Sequence, residues 1–285
     1  MSDLFDPTAF DTRVLNPTRP TFNTPEEYEQ QRLAKEQEIE ARYQNMRHAP
    51  LGPLPTWSFS SLSVFEQCPY RSKLSKIDRI PEPSGAAAER GSRIHLEIEE
   101  FIQGNSTDLS KDARKHFEHL IYEMRAEYEA GKVRIEEDWG FTKEWEPVAD
   151  WEDPRLWTKA KLDVFYRTSP ESASVKDWKT GRKFGNEIKH AQQLQLYIIA
   201  AFLRYPELEI VHGEMVYLDK GEKLEAVYTR EEAMLFVDSW TRRGLKMTTA
   251  TEFNPKPSFE ACRWCPHGKI QDGADAPVCP FAYAE

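Results

Sequence analysis

The hydrophobic pattern changes period partway along the chain, and this change restricts the fold more than any other feature of the sequence. Before about residue 130, apolar residues recur at helical spacing. Ile94, Ile98 and Phe101 mark a helix over 86–102, and another is expected over 111–130. Ser60 or Ser61 can cap an earlier helix running to about Leu74, with Leu62, Phe65 and Cys68 near one face. Beyond residue 130 the pattern becomes that of strands, over 139–148, 157–167 and 174–178, the last two joined by a Ser/Pro turn. A helix over 186–204 follows, stopped by Pro206. Strands over 210–218 and 223–228 are split by a Lys-Gly turn. Thr229, with Glu231 and Glu232 in the first turn, caps a helix to about Lys246. Helices, then a mixed sheet, then helices make an α/β or α+β sandwich, a central mixed β-sheet flanked by helices.

The ends of the chain read differently. Residues 1–24 are rich in Pro, Thr, Asn and Asp and carry no period, as in a flexible arm. Thr24, Glu26 and Glu27 start a charged helix to Arg47 with little apolar stripe, which is either solvated or docked on a partner. Three prolines between His48 and Thr56 suggest a linker. The expected organisation is therefore an arm, charged helix and linker over 1–56 and a folded domain over 57–285. The 285 residues suffice for one sizeable domain with appendages. No apolar run reaches the ~18 residues of a membrane span, and Met1–Asp11 is acidic rather than basic-then-apolar, unlike a secretory signal. An intracellular, cytoplasmic protein is expected, in a bacterium or a phage-infected host. In that setting the four cysteines, Cys68, Cys262, Cys265 and Cys279, favour a metal or cluster over disulfides.

The net charge of −10 argues against a surface that grips nucleic acid everywhere, because duplex binding works through Lys and Arg. A local basic groove remains compatible with it. Lys176, Lys179, Arg182, Lys183 and Lys189 crowd one stretch; such a run is ordinarily a solvated face, but this one overlaps the segment with the most chemistry.

That segment is Lys161-Leu162-Asp163-Val164-Phe165 followed by Val175-Lys176-Asp177-Trp178-Lys179-Thr180-Gly181. Strand alternation points Asp177 and Lys179 one way and Trp178 the other. A hairpin can bring Asp163 beside Asp177, and two adjacent carboxylates suit Mg²⁺ or Mn²⁺. A neighbouring lysine can orient the attacking water and stabilise charge on a phosphate. Upstream, His95 sits on a helix and can serve as a further ligand through neutral imidazole, with Glu99 one turn on. Downstream, Gln193 and Tyr197 share a helix face at i and i+4, while Gln195 lies on another. Each piece alone is more often structural than functional.

The ordered set His95, Leu162-Asp163, Asp177-Trp178-Lys179-Thr180-Gly181 and Gln193-x-x-x-Tyr197 resembles the RecB-type nucleases of the PD-(D/E)XK superfamily, as does the opening Ser58-Phe59-Ser60-Ser61-Leu62-Ser63-Val64-Phe65-Glu66-Gln67-Cys68-Pro69. The likeness covers about residues 57–281. It implies a restriction-endonuclease-like core, with His95, Asp163, Asp177 and the Trp178 carbonyl as metal ligands. It also implies Lys179 as the catalytic lysine and Gln193 and Tyr197 as its supporting pair. Asp177 stands where many relatives have Glu. One cysteine before these motifs and three after resembles the iron–sulfur members, the CRISPR-associated exonucleases and AddB subunits. This implies a [4Fe–4S] cluster stapling the N-terminal helix to the cysteine-rich tail. The Cys265–Cys279 interval is longer than usual there. Zinc is the rival, with His267 able to replace one cysteine.

The resulting expectation is a metal-dependent DNA nuclease, an exonuclease by resemblance, acting in DNA end processing, recombination or replication. Its contacts would be to the DNA backbone, and its N-terminal arm could recruit a replication or recombination protein. The alternative is a non-catalytic iron–sulfur DNA-binding or assembly subunit.

Overall fold

The structure is a computed structural model describing residues 24–181, 183–270 and 276–282. Residues 1–23 of the expected arm over 1–24, and Arg182, lie outside the described residues. The chain divides into two compact units, Met1–His48 and Ala49–Glu285. In the first, α1 (Pro25–His48) starts as its sequence suggests: Glu27 N–H donates to Thr24 Oγ1, and Thr24 N–H to the Glu27 carboxylate, both at 3.2 Å.

In the second unit, β1 (Trp57–Ser58) leads into α2 (Phe59–Gln67). Ser58, not Ser60 or Ser61, is the cap, and its own N–H donates to Ser61 Oγ at 2.8 Å. The expected single helix to Leu74 breaks at Cys68, which is extended (φ −155°) because the Pro69 ring excludes the helical region from the residue before it. The chain resumes as α3 (Pro69–Ser72) and a π-helical turn, Lys73–Ile77. Next come α4 (Ala86–Ile102), α5 (Lys111–Arg114) and α6 (Glu118–Glu129). The expected 111–130 helix is thus two pieces, parted where Phe117 leaves the helical region.

The strands are β2 (Val133–Phe141), β3 (Pro147–Val148), β4 (Thr158–Arg167) and β5 (Ser172–Lys179). After α7 (Glu187–Arg204) come β6 (Ile210–Tyr217) and β7 (Glu222–Thr229). β2 begins six residues before the expected 139. Thr229 and Glu232 form the expected capping box, but the helix after them breaks into α8 (Arg230–Met234) and α9 (Val237–Thr248); α10 (Phe259–Cys262) lies in the tail. The stretch expected as a linker packs against the end of α9, where Gly52 N–H donates to Thr248 O at 2.7 Å. None of the helices among the described residues is long and apolar enough to cross a membrane.

The sheet runs β3-β2-β4-β5-β6-β7, with β1 added to β4. Neighbours are antiparallel except β5–β6 and β1–β4. The parallel β5–β6 pair needs a crossover, and α7 supplies it. α7 lies so close to β6 that a Cβ on Gly213 would sit 2.7 Å from Leu194 Cγ. On the other face, Ile94, Ile98 and Phe101 of α4 and Ile121 and Met124 of α6 pack over Val164, Trp178 and Val216. This is a restriction-endonuclease-like mixed α/β fold, a mostly antiparallel sheet with helices on its flanks.

One irregularity positions the site. β4 pairs with β2 along most of its length, but on its other edge β5 reaches only Arg167–Val164 and β1 only Thr158–Lys159. Between them, Ala160–Asp163 has no strand partner on that edge among the described residues, and the sheet forks.

Candidate active site

Asp163 and Asp177 stand at the crotch of the fork. The β4–β5 ladder ends at Val164–Lys176, and these two aspartates would have been the next pair. Instead, Asp163 Oδ2 accepts the Trp178 N–H at 2.7 Å, which fixes the carboxylate against the departing strand. Trp178 itself is buried on the opposite face, as strand alternation requires.

Asp177 is only 3% exposed. Its Oδ1 accepts from Gln193 Nε2 at 3.2 Å, and the same amide donates to the Tyr197 hydroxyl at 2.8 Å. Its Oδ2 meets Lys179 Nζ as an ion pair at 2.5 Å, out of line for a hydrogen bond. Burial raises the Asp177 carboxyl to about 6; the Lys179 ammonium opposes this and the like charge of Asp163 adds to it. Burial, helped by Asp177, keeps the Tyr197 phenol protonated well above its usual range. Gln195, by contrast, faces away and accepts from Trp240 Nε1 at 3.1 Å, a packing role.

His95 reaches the fork from α4. Its Nδ1 lies 3.4 Å from Asp163 Oδ2. Burial pulls its pKa down, but the hydrogen bond and charge of Asp163 outweigh this and raise it. α4 is anchored by Arg90, which is bidentate to Asp219 (2.8 and 2.9 Å) and also donates to Asp112 at 2.9 Å.

Sequence reasoning missed Glu136. It falls between the paired residues Ile135–Val164 and Glu137–Leu162, opposite Asp163, with φ +52°. A non-glycine residue in that region is strained. Ligand atoms of His95, Glu136 and Asp163 lie within 4.8 Å of one another. Lys161 Nζ balances Glu136 at 2.8 Å, and the Glu99 carboxyl is raised by burial and then by the Glu136 charge. The donor set of one imidazole and two carboxylates, from His95, Glu136 and Asp163, fits a hard divalent cation, while the buried Asp177 carboxylate beside it is held by Lys179.

The basic run divides. Lys176 is a correction to the expected groove: it is buried and ion-paired to Glu214, beside Ser174 Oγ at 3.1 Å. Lys183 pairs with Glu222 at 3.1 Å. Lys189 is exposed, and no carboxylate pairs with it among the described residues.

Away from the fork, Cys68, Cys262, Cys265 and Cys279 line one small cavity with Arg71 and Leu74, and none is in a disulfide. Burial raises the Cys279 thiol, and the other three sulfurs add to the effect. Arg71 is bidentate to Glu82 (2.7 and 3.1 Å), and its charge acts on Cys265 and Cys68. Four thiols around one cavity beside a guanidinium are the donors a thiolate-bound cluster takes, and no three of the sulfurs lie within 4.8 Å of one another. His267 does not line the cavity; it is fully buried with Nε2 3.1 Å from Glu82 Oε1.

A search of curated proteins returns no match. Among solved structures, the chain is similar to SSO0001 at 16% identity and a TM-score of 0.43, over 88% of this chain and 98% of that one. It is likewise similar to a structure from Eubacterium rectale named "Putative exonuclease", at 16% identity and a TM-score of 0.43, over 76% of this chain and 89% of that one. The sequence profile of the PD-(D/E)XK nuclease superfamily matches residues 56–270, three quarters of the chain, and the chain belongs to that superfamily.

Proposed function

We propose that this protein is a Mg²⁺- or Mn²⁺-dependent deoxyribonuclease that degrades DNA from its ends. The carrying observation is the fork in the sheet, where ligand atoms of His95, Glu136 and Asp163 lie within 4.8 Å of one another and the Lys179 ammonium stands 2.5 Å from Asp177 at the same crotch. His95, Glu136 and Asp163 would hold the divalent ion, with Asp177 and the Trp178 carbonyl as the further ligands that the resemblance implies. Such an ion, when bound, polarises a phosphate and acidifies a water.

The chain's own residues have separate tasks. Gln193 holds Asp177 Oδ1, which aims the carboxylate into the fork. Tyr197, kept neutral, supports Gln193 through its hydroxyl. Lys179 carries a positive charge to the place where the phosphate becomes more negative as it is attacked. The exonuclease mode rests on the resemblance of the motif set to RecB-type enzymes, and recognition through the backbone on the lack of any base-reading motif.

Digestion of end-labelled single- and double-stranded DNA with Mg²⁺, with Mn²⁺ and with chelator tests this reading. Wild type should shorten the label progressively only with metal. Lys179→Ala should be inactive, with unchanged folding by circular dichroism. Full activity in Lys179→Ala would refute the assignment.

The cysteine cavity is assigned a [4Fe–4S] cluster, with zinc as its rival. Brown protein with broad visible absorption supports the cluster; colourless, zinc-loaded protein supports the rival.

A further inference from the structure

A cavity of about 410 Å³ lies between the start of α2, the end of α3 with its π-helical turn, the 79–82 segment and Met247 of α9. None of its lining residues belongs to the fork, and none is a cysteine. Its volume is that of pockets that enclose a small organic molecule. The walls divide by chemistry. Val64, Ile80, Pro81 and Met247 make an apolar side. Serines from α2 and α3 make a hydroxyl side, and Lys76 and Arg79 bring positive charge to it. Ser72, Ser75 and Lys76 stand at i, i+3 and i+4, so the helical stretch presents them together.

The polar side is not satisfied from within the protein. Ser72 is only 2% exposed, yet its hydroxyl makes no hydrogen bond among the described residues, whereas buried polar groups are ordinarily paired. Lys76 and Arg79 have no carboxylate partner among the described residues, because the nearby acids are taken. Asp78 pairs with Lys73 at 2.5 Å, and Glu82, which also lines the cavity, is held by the bidentate Arg71. Arg79 holds φ +56° just past the π-helical turn, a place that ordinarily goes to glycine or asparagine. The backbone alone therefore does not call for an arginine there, and its guanidinium is the part that the strain keeps in place. One kind of group answers the free hydroxyl and both cations at once: a phosphate, with its negative charge and several acceptor oxygens. The apolar side suits a ring system attached to it.

We propose that this cavity binds a nucleoside monophosphate unit, with the phosphate on Ser72, Lys76 and Arg79 and the base against Val64, Ile80 and Met247. The unit is a free mononucleotide or the phosphorylated end of a strand, which share this chemistry. The site has no residue in common with the fork and does not rest on the nuclease reading: a chain unable to cut DNA would still bind here.

The test is calorimetry on the full chain without divalent cation, using dAMP, deoxyadenosine, inorganic phosphate, and one oligonucleotide with and without a terminal phosphate. dAMP should bind, deoxyadenosine at least ~10-fold more weakly, and phosphate alone more weakly than dAMP. Lys76→Ala and Arg79→Gly should each weaken dAMP by ~10–100-fold, the worth of a charged hydrogen bond. Ser72→Ala should weaken it less, and the exposed Lys115→Ala should match wild type. Arg79→Gly should lose affinity while melting no lower than wild type, because glycine accepts the left-handed backbone without strain. Displacement of dAMP by the phosphorylated oligonucleotide alone identifies a strand end as the ligand, and displacement by neither identifies a free nucleotide. Equal displacement by both oligonucleotides overturns the proposal, because internal phosphates would then suffice. A wild type that binds no dAMP overturns it as well, as does deoxyadenosine bound as tightly as dAMP, or dAMP affinity unchanged in both Lys76→Ala and Arg79→Gly.

Discussion

Asp177 is a carboxylate kept where its charge is least welcome, and under the proposed function the consequence is metal binding that depends on pH. Its folded pKa of about 6 lies above the ordinary 3.8. In the metal-free protein the native state therefore holds this proton more tightly than the unfolded chain does. Its contribution to stability is full below about 4 and is lost as pH rises through about 6. A divalent cation needs the ionised form, so it competes with the proton over the same window. Mn²⁺ should raise the melting temperature strongly at pH 7.5 and hardly at pH 5, read by scanning fluorimetry. Asp177→Asn should stabilise the metal-free protein at pH 7.5 and abolish the response; an equal Mn²⁺ response at both pH values contradicts the account. Glu136 makes a second residue-scale case. Its φ of +52° stores strain on the order of 1 kcal/mol that glycine would not carry. Glu136→Gly should raise the metal-free melting temperature by ~2–4 °C while weakening Mn²⁺ affinity by calorimetry, whereas Glu136→Gln should weaken affinity without the gain. If Glu136→Gly melts lower than wild type, the strain is not there.

At the scale of elements, α7 is the part on which the site depends most, because its fit to β6 sets where Gln193 meets Asp177. The added Cβ of Gly213→Ala would meet Leu194 Cγ at 2.7 Å and Ile198 Cδ1 at 2.8 Å. Overpacking of this kind costs ~1–3 kcal/mol, and the helix must move to accommodate it. Urea unfolding should register that loss, and kcat should fall at temperatures where the variant is fully folded; a folded variant with wild-type kcat would show that α7 has slack. The extent of α7 was readable from its sequence because its apolar period is strong. The start of β2 was not: Arg134, Glu136, Glu137 and Asp138 interrupt the alternation, since this half of the strand borders the site, and Glu136 was missed with it. The break at Cys68 was open to inference from Pro69, but the choice of Ser58 among three nearby serines depends on its own extended backbone (φ −132°). Lys176 was misplaced because its partner Glu214 lies on a neighbouring strand, beyond the reach of any local pattern.

At the scale of the whole second unit, the cysteines join segments far apart in the chain. Their number and spacing suggested a shared site, but only the fold places Cys68, at the α2–α3 break, in one cavity with Cys262, Cys265 and Cys279 of the tail. A cluster bound there closes a loop of nearly 200 residues, from Cys68 to Cys262. By loop-closure entropy such a tie removes on the order of 5 kcal/mol of freedom from the unfolded chain. For a domain of this size that corresponds to ~10–20 °C in melting temperature. Asp163, Asp177 and Lys179 ride on β4 and β5, whose strand pairing does not involve the tail. Cys265→Ala should therefore lose the visible absorption and melt ~10–20 °C lower, yet cut DNA near the wild-type rate at low temperature and fail only as the assay warms. Replacing a mere buried thiol by alanine would shift melting by only a few degrees. A melting curve that scarcely moves would thus leave the four cysteines as neighbours without a shared ligand.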